Sequence, residues 1–183
     1  MEQSKNSSQH AALTLTVLAA LARLVPHPPN FAPIGAAALF GGARLRGWQA
    51  YFVPLLAMMV TDPILNWIHN VHGFSAVTVA IYGSFLINVL LGRTFLRDTN
   101  SVPRIASIAL LGSVQFFAST NFFVWLSARG YYPLTSSGLI ACYAAALPFF
   151  AWTVLGDLFY TGILFTAYAW YSRRATALSP GRA

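Results

Sequence analysis

Residues 23–43, RLVPHPPNFAPIGAAALFGGA, join a knot of His27, Pro28, Pro29, Asn30 and Phe31 to a run of small apolar residues. The knot lies between two stretches too hydrophobic for an ordinary soluble loop, so its reading depends on what surrounds it. Across all 183 residues, 57% are hydrophobic, 15% aromatic and only 8% charged. Soluble domains carry about 25% charged residues. This is the composition of an integral membrane protein. A hydrocarbon core of roughly 30 Å takes about 20 apolar residues per helix, so the chain holds five or six spans and no soluble catalytic domain.

The apolar runs fall at 11–25, 31–43, 50–68, 74–92, 104–127 and 150–171, each ended by charge, Pro, Gly or His. The first two are short for a full crossing, and the second is alternatively re-entrant, which requires protein around its backbone. A further apolar stretch, 138–149, starts at Gly138 and ends near Pro148; it reads as a helix packed on the outer surface and not as a seventh span. The expected fold is therefore all-α, a compact bundle of six transmembrane helices over 11–171, with tails at 1–10 and 172–183.

The formal charge of +7 would raise nucleic acid binding in a soluble protein. Here the basic residues sit in short loops: Lys5 at the start, Arg44 and Arg46 after the second run, Arg93, Arg97 and Arg104 around the fourth loop, and Arg173, Arg174 and Arg182 at the end. The alternate loops hold only Arg129, with Arg23 ending the first run. By the positive-inside rule both termini are cytoplasmic and nucleic acid is not a partner. Lys5, the apolar run after it and the small residues Ala20 and Ala22 also resemble a cleavable signal peptide, although the polar cleavage region is missing. Cys142 has no second cysteine to pair with, and it says nothing about compartment.

That topology gathers the distinctive chemistry on the external side. Loop 26–30, HNVHGF at 69–74 and SARGYYPLTSS at 127–137 bring His27, His69, His72, Trp67, Phe74, Trp125, Tyr131 and Tyr132 towards one mouth. His69 and His72 are three apart but at a helix end; with no Cys cluster and no HExxH pattern, no metal site or cofactor is assigned. Asn88, Gln115 and Asn121 lie within spans, where interhelical hydrogen bonding is the plain explanation. Asn121 in STNFFVW stands beside Trp125, an amide and aromatic pair suited to a planar ligand, though Trp there also fits an aromatic belt.

Two acids lie inside apolar runs. Asp62 sits in VTDPILNW with Asn66 and Trp67, and Asp157 sits in LGDLFY. A carboxylate at membrane depth costs roughly 2.5–3.5 kcal/mol on insertion scales, so it faces a cavity or a partner. Asp62 reads equally as a ligand contact or as the N-cap of a helix restarted by Pro63. Asp157 reads first as an interhelical hydrogen bond or ion pair, and second as a substrate contact. On the opposite side, Ala37 with Gly41 and Ala38 with Gly42 repeat at four-residue spacing, either for internal packing or as a face that docks another membrane subunit.

PHPPNFAPIGAAALFGGA, TNFFVWL, YPLTSSGLIACYAAALPFF and VLGDLFY together resemble a family of small bacterial inner-membrane proteins related to the substrate-binding S components of energy-coupling factor transporters. The resemblance covers most of the chain from residue 23 onward. It implies six helices around an external cavity for a vitamin or similar micronutrient, covered by loops 26–30, 69–74 and 128–149. It also implies that an alanine-rich helix, here 35–43, meets an energy-coupling membrane subunit whose ATPases are separate chains. The chain is similar, more faintly, to the solitary cobalamin transporters, which would put a corrinoid among the substrates. Their cobalt-ligating cysteine has no counterpart in the second external loop, and Cys142 lies in the third.

Three functions follow as expectations. The first is capture of a small micronutrient from outside by a membrane transport protein, stacking on Trp125 or Tyr132 and bonding His27, Asn30, Asp62 or Asn121, with Phe31, Asn66, Trp67, His69 and His72 around them. The lid from Tyr131 to Phe149 would then close. With no Walker A sequence, ATP dependence would come from another chain. The second is an intramembrane enzyme using Asp62 and Asp157 as paired carboxylates. The third is a structural membrane component that needs no cavity.

Overall fold

The computed structural model describes residues 2–68, 70, 73, 75–127 and 131–177. These form six helices and no strand: α1 (Glu2–Ala22), α2 (Ile34–Arg44), α3 (Gln49–Ile68), α4 (Ala76–Phe95), α5 (Val102–Ser127) and α6 (Ser136–Ala177). Among the described residues four helices are long and apolar enough to cross a membrane: α3, α4, α5 and Ser136–Ala175 of α6. Their outward faces carry exposed Leu56, Met59, Leu90, Leu110, Leu155 and Ile163. Such faces suit lipid, because burying them in water would leave a large apolar surface uncovered.

Of the six spans expected, four are candidate spans by length and composition among the described residues, and α1 and α2 fall outside that set. α2 has 11 residues, about 16 Å at 1.5 Å per residue, half the hydrocarbon thickness. It is instead the centre of the bundle. Every residue from Ile34 to Ala43 is buried, and α2 packs against all five other helices. Its small side chains permit this. A Cβ on Gly42 would strike the Val89 carbonyl of α4, and one on Gly92 would strike the Leu39 carbonyl of α2, so the two backbones touch through reciprocal glycines. Ala37, Ala38, Gly41 and Gly42 are spent on this internal packing, with Gly41 against Pro54 of α3. Of the two readings offered for these residues, their burial accords with internal packing, and they present no exposed face to another subunit.

α1 begins at Glu2, so residues 2–10, read as a tail, are helical. Ser7 Oγ lies 2.7 Å from the Tyr171 hydroxyl, and Gln9 Nε2 donates to Gln49 Oε1 at 3.1 Å. The apolar half contributes Ala12, Ala19 and Ala20 to the core.

Prolines do not divide the helices as expected. α6 runs unbroken through Pro148 for 42 residues, about 63 Å. The outer helix and the sixth span are thus one element, and the segment read as a lid is helical from Ser136. α3 likewise continues through Pro54 and Pro63, so Asp62 is not an N-cap. A proline removes one backbone bond, and flanking turns with tertiary packing hold the rest.

The two ends of the bundle differ. At one, Arg44 closes α2 by donating from Nη1 to the Leu96 and Arg97 carbonyls at 2.8 and 2.7 Å, and from Nη2 to the Thr99 carbonyl and Asn100 Oδ1 at 2.6 and 3.1 Å. Its guanidinium lies 4.9 Å from the centroid of Phe165, which also meets Phe40 edge-on. Arg44, which the sequence offers only as a topology signal, ties α2, the α4–α5 loop and α6 together. The opposite end carries loop 23–33 and the α5–α6 connection.

Candidate functional site

Loop 23–33 reaches into the bundle by a tight turn. The Phe31 amide donates to the Pro28 carbonyl at 3.0 Å, and Asn30 takes a left-handed φ of 64°, which asparagine tolerates better than most residues. The turn sends the Phe31 ring onto α6, with centroids 5.4 Å from Tyr160 and 5.7 Å from Phe159. Gly156 makes room, since a Cβ there would lie 3.1 Å from Phe31 Cα. Phe31 is therefore the anchor of the loop, and Asn30 is left over the space between α4, α5 and α6.

That space holds two adjoining chambers. The outer one, about 230 Å3, is bounded by Val77, Phe117, Asn121, Val124 and Phe149. The inner one, about 190 Å3, is bounded by Arg23, Gly35, Phe85, Asn88 and Asp157. Both include Asn30, Ile81, Phe116 and Thr153 in their walls. The lining follows helical spacing: Val77, Ile81 and Phe85 on α4, Phe116 and Thr120 on α5, Phe149, Thr153 and Asp157 on α6.

Asp157 is 7% exposed and sits where the first turn of α2 begins, with its carboxylate in the space that a Cβ on Gly35 would fill. The Ser113 hydroxyl donates to Oδ2 at 2.7 Å. This is the interhelical hydrogen bond expected of it, between α5 and α6, but the same carboxylate also faces the inner chamber. Asn88, 2% exposed, receives Gln115 Nε2 at 2.9 Å, and that nitrogen also donates to the Ser84 carbonyl at 2.9 Å. The amide that reads as interhelical glue is both glue and chamber wall.

Asp62 belongs to a different cluster. Arg23 Nη1 lies 2.6 Å from its Oδ1 and donates to Thr61 Oγ1 at 3.0 Å, while the Tyr82 hydroxyl donates to Asp62 Oδ2 at 2.6 Å. The carboxylate is satisfied by protein, and it is Arg23 that reaches the chamber. Asp62 and Asp157 thus have separate partners and do not form the carboxylate pair an aspartic-protease chemistry needs.

The remaining expected residues divide clearly. Asn30 and Asn121 line the outer chamber, although Asn121 Nδ2 is donated to the Phe117 carbonyl of its own helix at 2.8 Å. His27 donates from Nδ1 to the Pro28 carbonyl at 2.9 Å and holds the turn. Trp125 Nε1 donates to the Pro133 carbonyl at 3.0 Å, fastening the α5–α6 connection. Trp67 is 79% exposed, and Asn66 is exposed beside it. Tyr132 is partly buried in the α5–α6 connection, outside both linings. His69 and His72 lie outside the described residues, as do Phe74 and Arg129. Among the described residues no three His, Cys, Asp or Glu side chains gather to hold a metal ion. Arg23, Ile81, Phe85, Phe116 and Thr153 were missed by sequence reasoning, although the four-residue spacing of Ile81 with Phe85 and of Thr153 with Asp157 was there to be read.

Wider clefts of about 500 and 430 Å3 flank the end of α6, lined by Arg173 and Tyr168 in one and Arg174 and Trp170 in the other. They are open grooves at the basic end, of the kind interfacial aromatic and basic residues form.

The pattern that defines one family matches residues 3–178, nearly the whole chain. The chain belongs to DUF6580, a family of unknown function. No curated protein and no solved structure matches it.

Proposed function

We propose that this protein is a membrane transport protein that captures a small molecule from the external side, in the manner of an S component. The observation that supports this best is the pair of adjoining chambers with Asn88, Asp157 and Thr153 in their walls. Together they reach the lower part of the range of roughly 300–1,000 Å3 that small-molecule sites occupy, with apolar walls and a few convergent polar groups. A purely structural bundle gains nothing from leaving a carboxylate against unfilled space at this depth. The basic end would face the cytoplasm of a bacterial inner membrane, with the chambers opening outward. A micronutrient would pass Asn121 and Asn30, settle against the Phe116 and Phe85 pair, and bond Asn88 and Thr153. An energy-coupling subunit, if used, would meet the exposed faces of the longer helices, since α2 is enclosed.

The test is to purify the full chain in detergent from cells grown in rich medium and identify retained small molecules by mass spectrometry. A stoichiometric compound, lost in Thr153→Val and in Asn88→Leu, is the expected result. An empty protein that no vitamin or related nutrient protects against heat would end the capture reading and favour the structural one.

A further inference from the structure

The inner chamber has a charge balance that can be read from its neighbours. Two ionisable groups line it, Arg23 and Asp157. Arg23 is already matched, because its guanidinium lies 2.6 Å from the carboxylate of Asp62. Asp157 is not matched. Among the described residues it forms no ion pair, and its hydrogen bond is the neutral one from Ser113. It is more than nine-tenths buried, yet it is part of the chamber wall. With the Arg23–Asp62 pair neutral as a unit, Asp157 is the one ionisable group of the chamber wall without a charged partner among the described residues.

The surroundings suit a cation further. Phe85 and Phe116 form one side of the inner chamber as a tilted pair, 5.1 Å between centroids. Aromatic faces attract ammonium groups, more strongly where water is excluded. Asn30 and Thr153 bring side-chain oxygens to the wall that can accept an ammonium's hydrogens. An anionic ligand would meet a carboxylate of like charge in a low-dielectric site, with Arg23 already committed.

We infer that the chambers take a small organic cation, a protonated amine with an apolar or aromatic body, whose ammonium group pairs with Asp157 against the Phe85 and Phe116 rings. This rests on the capture reading and names its substrate class. The Ser113 hydroxyl holds the carboxylate beside Gly35 before the ligand arrives, and the amine supplies the counter-charge. Asp157 is a binding residue in this account.

The experiment uses full-length protein in lipid nanodiscs and three matched probes: 2-phenylethylammonium, the uncharged 2-phenylethanol and the anionic phenylacetate. Binding is followed by equilibrium dialysis and by the shift in thermal unfolding. The expected result is that the ammonium probe binds at least about tenfold more tightly than the other two, and that Asp157→Asn removes the preference. Ser113→Ala, which leaves the charge in place, should keep it. If Asp157→Asn does not fold, the three probes on the native protein still decide. Equal binding of all three, or an ammonium preference that survives Asp157→Asn, overturns the inference. A retained neutral or anionic compound in the mass spectrum would overturn it while leaving capture intact, whereas an empty protein that binds no probe removes both.

Discussion

Asp62 on α3 is held by an arginine and a tyrosine, whereas Asp157 on α6 is held by a single serine. Both lie inside long apolar helices. The first region is a closed cluster, in which Arg23 and Tyr82 bond the two carboxylate oxygens, Thr61 accepts from Arg23, and the Asp62 side chain is left 22% exposed. The second region is open on one side, with α2 and α5 behind the carboxylate and a chamber in front. The difference teaches that two acids in similar apolar sequence can differ in whether the protein itself supplies the counter-charge.

The largest effect should come from removing the framework both regions share. Gly42→Val forces a branched side chain against the α4 backbone, which cannot yield as a flexible side chain would, and should cost about 3 kcal/mol or more, at or beyond the usual overpacking range. Loss of a monodisperse peak in detergent and a sharply lowered unfolding midpoint would show it; unchanged behaviour would mean that α2 does not sit on α4 as described.

The next comparison separates the acids directly. Arg23→Met strands Asp62 and should cost about 2–3 kcal/mol, below the value for a fully buried pair because both side chains keep some exposure. Arg23→Met with Asp62→Leu should recover to within about 1 kcal/mol of the native protein, since replacing both partners leaves no stranded charge. Unfolding midpoints of the single and double variants read this out. A double variant no better than the single would show that the cluster does more than balance charge.

The smallest stability effect is expected at Asp157. Asp157→Asn keeps an acceptor for Ser113 and removes a buried charge, so stability should stay within about 1 kcal/mol of native or rise. A large loss would show that Asp157, like Asp62, is structural, and the contrast between the two regions would collapse.

How much of this was legible depends on the residue. The apolar runs gave four of the helices because burial or lipid contact over a full turn period leaves a long hydrophobic record. Pro148 misled, since a proline's local cost predicts a break and only the packing of α6 against α5 reveals that the helix continues. Asn30 was found because a lone amide between prolines and an apolar run is conspicuous. Thr153 and Phe116 were not, because a threonine or a phenylalanine in an apolar helix looks the same whether it faces lipid, a neighbour or a chamber. Arg44 was read by sign alone, and its four hydrogen bonds connect residues more than fifty positions apart.

The sequence by itself determined that this is a helical membrane-type protein with its basic residues at alternate turns and two acids in apolar surroundings. Those properties follow from composition and from periods of a few residues, which local physics writes directly into the chain. Only the tertiary structure decided that α2 is an enclosed centre, that Asp62 is neutralised by Arg23, and that Asp157 is not. Each of these is a matter of which distant side chain comes within about 3 Å, and hydrogen bonds and ion pairs at that range depend on the packing of whole helices and leave no mark on the residues beside them in sequence.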